Sequence, residues 1–354
     1  SLTNMREQKG AKTYLLRTIT EIINCTMSKG ITLERWCCVH NVLLEKDPNH
    51  PKLHRLRIIH IIEADYNLAT KIYWARRLQR TAEKRKLLSD SNWGSRKGRS
   101  AQDVAMVKEL HYDITHLSLN EFATMENDAK SCYDRMVPSL IMLISRSFGL
   151  NKNVCRTVGK TFEKTKHKVA TRNGISMNSF GYTKEEPIFG SWQGATKSVV
   201  NWVLTSSVLQ EIHFQEAPGA LFQSTDGITK VRQSTVGFVD DNNNCVTKDG
   251  EQPIQEALQK SAQKWERLLY SSGGTLELSK CFTYAIKWEQ DEEGRHKISK
   301  EPVSIEINES VSNTMVEIKT KKAAESHKTL ECIKNPAMSM KYQTRELHKR
   351  IERI

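Results

Sequence analysis

No stretch of this chain approaches the roughly 18 to 20 consecutive apolar residues that a membrane-spanning helix needs. The N-terminus also lacks a charged-then-apolar secretory pattern. Both absences point to a soluble, intracellular protein with no membrane partner, and they leave cytoplasm and nucleus equally open. The eight cysteines (Cys25, Cys37, Cys38, Cys132, Cys155, Cys245, Cys281, Cys332) form no C-x-x-C pair and have no histidine at zinc-finger spacing. A zinc site is therefore not expected, and the thiols read as reduced, several of them buried as small hydrophobes. Internal repeats and low-complexity tracts are missing, which excludes solenoids and arrays. The start at Ser1, straight into the helix-like Thr13–Cys25 stretch, suggests a piece of a longer polypeptide.

Acid is scarce as well. The 41 Asp and Glu face 54 Lys and Arg, giving a formal charge of +13 and favouring polyanionic partners. The excess is concentrated. Between Arg76 and Arg99, nine cations (Arg76, Arg77, Arg80, Lys84, Arg85, Lys86, Arg96, Lys97, Arg99) face only Glu83 and Asp90, and from Lys152 to Arg172 seven face only Glu163. Charge runs are common on solvated helix faces, but two in one basic chain favour phosphate contact.

The 354 residues, 38% of them hydrophobic, suffice for more than one cored unit. Leu15, Leu16, Ile19, Ile22 and Ile23 recur at helical spacing ahead of Gly30. Trp36–Leu44 and Leu56–Ile62, joined by Asp47-Pro48-Asn49-His50-Pro51, read as a two-stranded ribbon. Helical character returns over Ala64–Leu88, and Ser89–Ser100 is a loop containing Gly94 and Gly98. Leu119–Asn127 reads as a strand ending at Asp128, and Pro138 as the first-turn proline of the helix Ser139–Phe148, stopped at Gly149. Gly190–Leu209 is a loop entering a helix. Val231–Val239 is a strand running into Asp240-Asp241-Asn242, with Asn243–Thr247 returning antiparallel to it. An amphipathic helix from Ile254 to Leu269 follows, closed by Gly273-Gly274. Cys281–Glu289 and His296–Ile305 then flank a second turn, and Ser339–Ile354 is helix-like. Strands and helices mixed without regular β-α-β alternation predict an α+β fold rather than a doubly wound sheet.

Asp240 and Asp241 carry the most information. Neighbouring carboxylates repel, a cost that solvent or a cation between them relieves. On their own they fit a solvated turn equally well. Asp128 is delivered by a second predicted strand end, and three acids from two strand ends can hold two Mg²⁺ ions about 3.5–4 Å apart.

These segments, in this order, resemble reverse transcriptases, in style those of retrotransposons without long terminal repeats and of group II introns. Asp128…Tyr133-Asp134 is similar to the first palm motif, in which the Asp binds metal and the bulky residue five positions on is the steric gate. Gly190-Ser191-Trp192-Gln193-Gly194 with Ser198 resembles the segment under the incoming nucleotide. Phe238-Val239-Asp240-Asp241 resembles the aromatic-x-D-D motif. Gly274…Leu278-Ser279-Lys280 is similar to the motif whose lysine approaches the triphosphate, and Leu44-Glu45-Lys46 with Leu56-Arg57 to the fingers segment that binds it. Asn92–Asp103, with Arg96, Lys97 and Arg99, resembles the family's Q-x-G-F-R-x-G-R-S-x-x-D stretch, and His327-Lys328-Thr329-Leu330 the primer grip. The likeness spans about Leu33 to Cys332.

The resemblance implies a right-hand polymerase with fingers over 1–112, a palm over 113–333 containing a fingers insertion at about 139–185, and the start of a truncated thumb over 334–354. It implies an RNA-directed DNA polymerase in which Asp128, Asp240 and Asp241 are catalytic and bind two Mg²⁺, with Mn²⁺ able to substitute. Lys46, Arg57, Tyr133, Gln193, Gly194 and Lys280 would bind dNTPs, while Arg96, Lys97, Arg99, His327 and Lys328 would touch the RNA template and a DNA or RNA primer. Oligomeric state is left open.

The chain departs from the pattern at Val199, where proline is usual, at Glu331, where the grip has glycine, and at Gly94-Ser95 after Trp93. These bear on local geometry and primer handling rather than on the acids, and a truncated thumb would limit processive synthesis. Two rival readings stand beside this one. An RNA-dependent RNA polymerase would use Asp128 and Asp134 as a paired first motif, though Val239 stands where such enzymes carry glycine. A domesticated relic that binds structured RNA without polymerising would have no need of the acids.

Overall fold

The computed structural model describes residues 9–46, 56–185, 187, 189–329, 332–339 and 341–351. The expected turn Asp47–Pro51, and the grip residues Leu330 and Glu331, lie outside the described residues. Two compact units emerge, one of residues 1–87 with 133–205, the other of 88–132 with 206–354. Helices and sheets are mixed in both, as an α+β chain requires. Among the described residues no helix is long and apolar enough to cross a membrane.

In the first unit the helix Lys9–Lys29 stops at Gly30, whose φ of 67° suits glycine, with the Arg156 side chain against it. Cys38–Glu45 pairs antiparallel with Leu56–Ile61, the ribbon read from the sequence, and parallel with Lys166–Thr171. The helical stretch after Ala64 runs from Ala64–Thr70 through a π-helical segment, Lys71–Gln79, to Arg80–Lys84. Its Trp74 is buried and donates from Nε1 to Ser145 Oγ at 3.2 Å. Pro138 does open its helix, Pro138–Ser147, and Asn151 caps the next one, Lys152–Lys164. The unit centres on rings: Trp36 on Tyr66 (5.1 Å between centroids), Tyr66 on Trp192 (6.2 Å) and Phe162 on Trp192 (4.5 Å).

The second unit is built on a five-stranded sheet ordered Lys319–Thr320, Phe282–Ile286, Phe122–Asp128, Asp241–Thr247, Thr235–Phe238. The predicted strand Val231–Val239 is broken in two. Lys230–Gln233 pairs with Ala220–Gln223, while Thr235–Phe238 joins the sheet. Ser234 makes the break: it is buried, its hydroxyl hydrogen-bonds with His213 Nδ1 (3.1 Å), and its carbonyl accepts the Cys245 N–H (3.0 Å). The second hairpin is also smaller than expected, since only Trp288–Gln290 pairs with His296–Ile298 and Phe282–Ile286 belongs to the sheet. A helix not anticipated, Ala101–Ser118, begins at a capping box in which Ser100 and Asp103 satisfy each other's backbone N–H groups.

The sheet interior is polar for a core. Asn242, Asn243 and Asn244 are all buried beside Asn127. Successive residues of a strand point to opposite faces, so the partners alternate. Asn243 donates to Glu126 (2.7 Å) on one face, while Asn127 donates to Asn244 (2.7 Å) and Asn244 meets His213 (3.2 Å) on the other. Burial pushes the His213 imidazole down to about 4, which keeps it neutral in this network.

Candidate active site

Asp128 is the last residue of the sheet's middle strand, and register pairs it with Asp241 on the neighbouring strand. The hairpin that delivers Asp241 is tight. Phe238 pairs with Asp241, leaving Val239 and Asp240 as the turn, with Val239 in the left-handed region at φ 59°. The Ala129 N–H donates to the Asp240 carbonyl (3.2 Å), which stitches the turn to the residue after Asp128. The first carboxylate and the adjacent pair therefore meet at one end of the sheet, where two strands end together.

On its other side Asp128 is held by the segment that follows Gly273-Gly274. Lys130 N–H donates to Thr275 O (2.9 Å), Glu277 N–H donates to Asp128 O (2.9 Å), and the short 3-10 turn Leu278–Lys280 then places the Lys280 ammonium on the Asp128 carboxylate. That hydrogen bond, offset partly by desolvation, raises the Lys280 pKa. Asp241 keeps its residue surface exposed at the hairpin tip. Desolvation of its carboxyl, then the charge of Asp240, nevertheless push it up to about 6, with Lys108 pulling the other way and Asp128 and Glu126 adding to the rise.

The loop before the capping box braces this hairpin from behind. Trp93 N–H donates to Gly237 O and Gly237 N–H to Ser91 O, both at 2.8 Å. A side chain at Gly94 would stand 2.3 Å from the Val239 backbone nitrogen, so the close approach demands glycine. Arg96 is buried and donates to the carbonyls of Ser89 and Asn92. Arg99 donates to those of Asp90 and Asn92, pairs with the Asp90 carboxylate (3.1 Å) and lies over the Trp93 ring. Lys97 alone of the three is exposed.

A cleft of about 550 Å³ opens at the acids. Asp128, Asp240, Asp241, Lys280, His327 and Lys328 line it, so six residues singled out in the sequence meet here. Three further residues of this cleft gave no sequence signal that was read. Lys319 and Lys321 come from a strand of only two residues and its continuation. Lys321 lies 4.0 Å over the Phe282 ring and donates to His327 Nδ1 (3.1 Å). His327 packs edge-on against Phe282, and desolvation together with Lys321 lowers its pKa. Glu126 was legible in principle, because it stands two residues before Asp128 and so on the same strand face. It is paired at 2.6 Å with the buried Lys108.

The remaining expected residues lie in the first unit. Lys46 and Arg57 are exposed at the ends of the paired strands. The Ser191 N–H donates to the Tyr133 carbonyl (2.8 Å), and the Gln193 carbonyl accepts the His60 N–H (2.7 Å). Gly194, at φ 107°, presses so closely on Leu56–Ile61 that a Cβ there would lie 2.9 Å from His60 O.

Among the described residues no group of three or more His, Cys, Asp or Glu side chains is already gathered as a metal cage. The donor set still suits a hard divalent cation. It is all carboxylate, one member is held by an ammonium, and another is raised by desolvation and by the acids around it more than Lys108 lowers it.

No family model matches the chain, and no curated protein does. Among solved structures it is similar to telomerase from Candida albicans in complex with a TWJ fragment of telomeric RNA, at 13% identity and TM-score 0.48, covering 73% of this chain and 43% of that one. Telomerase from Candida tropicalis in complex with the same kind of fragment gives 12% identity, TM-score 0.45 and coverage of 75% and 44%. The apo enzyme from Candida tropicalis, truncated from its C-terminal domain, gives 13%, 0.45, and 85% and 55%. The chain thus spans about half the length of the solved structures it resembles. All three are telomerases rather than enzymes of the retrotransposon or group II intron style that the motifs resembled.

Proposed function

We propose that the acidic cleft is the catalytic centre of an RNA-templated DNA polymerase that joins nucleotides to a primer 3′-hydroxyl. The observation that carries this reading is the register of Asp128 with Asp241, with Asp240 stitched to Ala129 and Lys280 seated on Asp128. A solvated turn would not need a second strand end and a lysine trained on it.

Asp128, Asp240 and Asp241 would hold Mg²⁺, or Mn²⁺ in its place, which supplies Lewis-acid stabilisation of the phosphoryl group and of the attacking and leaving oxygens. The chain's own groups do the rest. Lys280 offers positive charge where the triphosphate's charge develops. Lys319 and Lys328, on the cleft wall, and the exposed Lys97 would neutralise primer and template phosphates, contacts that position rather than specify. His327, kept neutral and packed on Phe282, would rest against the primer end. We read the unit whose sheet ends at Asp128 as the palm and the other as the fingers; Lys46 and Arg57, expected to bind the triphosphate, Tyr133, expected to exclude the 2′-hydroxyl, and Gln193-Gly194 all belong to the latter.

The test is primer extension on poly(rA)–oligo(dT) with Mg²⁺ and with Mn²⁺, comparing the chain with Asp240→Asn. Extension with dTTP that disappears in the variant is the expected result. Extension with UTP alone would make the protein an RNA polymerase, and RNA binding with no extension would leave a binding relic.

A further inference from the structure

The Lys152–Lys164 helix carries Lys152, Arg156, Lys160 and Lys164 at intervals of four, which places them in a row along one side. Lys152, Arg156 and Lys164 are exposed and Lys160 is half-buried. Like charges four residues apart destabilise a helix, and elsewhere this chain relieves such cations. Arg17 is paired with Glu21 one turn on (2.9 Å) and Lys349 with Glu346 (2.8 Å). Among the described residues none of the four cations has an ion-pair partner, and Glu163 is the only acid in the helix. Two more cations follow in the next strand. In the strand Lys166–Thr171, His167 points inward while Lys166 and Lys168, two apart, face the other way.

The opposite side of the helix is fixed in the core. Val154, Cys155, Thr157, Val158 and Thr161 are buried, Thr157 donates to Thr26 O (3.2 Å), and Thr161 hydrogen-bonds Thr32 (2.7 Å). The row is therefore rigidly presented. A basic amphipathic helix that binds membranes must have its apolar face free to enter the lipid, and here that face is already used. A rise of 1.5 Å per residue spaces the cations by about 6 Å, close to the separation of successive phosphates along one strand.

We propose that this row is a phosphate-tracking surface for a single strand of nucleic acid, distinct from the acidic cleft and independent of the reading given to that cleft. The ligand chemistry is the phosphodiester backbone, shared by RNA and DNA.

The test uses the full chain carrying Lys152→Gln, Arg156→Gln, Lys160→Gln and Lys164→Gln together. Binding of labelled oligo(rU) and oligo(dT) is followed by fluorescence anisotropy across a KCl series. Each phosphate contact on a single strand contributes about 0.7 to the slope of log K against log salt. The slope should therefore flatten by about 2 to 3, with affinity at low salt reduced at least tenfold and the melting temperature not lowered. Loss with both oligomers marks the backbone as the ligand, whereas loss with oligo(rU) alone overturns it in favour of a ribose-dependent contact. If the quadruple variant fails to fold, Lys160→Gln and Lys164→Gln singly should each flatten the slope by about 0.7. An unchanged slope and affinity overturns the proposal. So does a variant that binds both oligomers as before but loses binding to phosphatidylserine vesicles. Oligomer binding and its salt slope are read without nucleotides or divalent ions, so failure of the polymerase reading and failure of this one give different results.

Discussion

The two units each bury a lysine, and they treat it in opposite ways. Lys108, in the unit that holds Asp128, is 5% exposed and spends its charge on Glu126, which also accepts from Asn243. Lys197, in the other unit, is 0% exposed and has no hydrogen-bond partner among the described residues. Its ammonium lies instead among rings, 4.0 Å from the centroid of Trp192, 4.4 Å from Phe162 and 5.4 Å from Tyr66. Desolvation holds its pKa well below the ordinary lysine value. An ion pair with further hydrogen bonds recovers much of what a buried charge loses. Ring faces recover only part of it, about 2 kcal/mol for a desolvated contact. One lysine is thus wired into the strand that ends at Asp128, and the other is tolerated inside an aromatic core.

The largest effect should follow from removing the paired lysine. Lys108→Met strands the Glu126 carboxylate on the middle strand and should cost about 3 kcal/mol in urea unfolding. Adding Glu126→Gln should recover more than half of that loss, because the uncompensated charge disappears with it. If the single and double variants are equally destabilised, the pair acts through packing alone, and the contrast between the two lysines fails.

How far such a network can be foreseen depends on whether its parts are fixed by neighbours in sequence or by residues far away. The acids at strand ends, the proline-started helix and the stop at Gly30 follow from local rules, and the structure has them where those rules put them. The hairpin is there too, but it turns at Val239-Asp240 and its return strand starts at Asp241, earlier than the Asp240-Asp241-Asn242 tip read from the sequence. The break at Ser234 does not follow from local rules, because it depends on His213 and Cys245, which are distant in sequence. The same holds for Lys321, delivered by a two-residue strand, and for Gly94, whose reason is the Val239 backbone. Arg96 and Arg99 read as free cations in the sequence. The structure instead engages both with backbone carbonyls of their own loop. Charge type is legible locally, whereas its partner is a tertiary fact.

The contrast predicts the opposite sign for the second lysine. Lys197→Met keeps the volume among the rings and removes a polar group that nothing satisfies, so it should raise stability by about 1 kcal/mol at neutral pH. The pH dependence follows from linkage. With the folded pKa below the unfolded one, the unfolded chain binds the extra proton, so the parent gains stability as pH rises toward the unfolded value near 10.4. The advantage of Lys197→Met should therefore shrink between neutral pH and about 10. A variant less stable than the parent at every pH would mean that the rings hold a cation the fold requires.

The smallest effect concerns a carboxyl that shares Lys197's predicament. Asp241 is raised to about 6 by desolvation and by Asp240, so its folded pKa lies above its unfolded value. For an acid raised in this way the folded chain holds the proton more tightly, and the chain loses stability as pH climbs from about 4 through about 6. Without divalent ions, Asp241→Asn should therefore melt slightly higher than the parent at pH 7.5, and the gain should fade toward pH 4. Millimolar Mg²⁺ or Mn²⁺ reverses the logic, since a ligand that binds only the folded state adds stability in proportion to its occupancy. The parent should then rise in melting temperature while Asp241→Asn stays where it was. Equal shifts in both proteins would remove Asp241 from the cation site and leave its crowding, like that of Lys197, a feature of the fold alone.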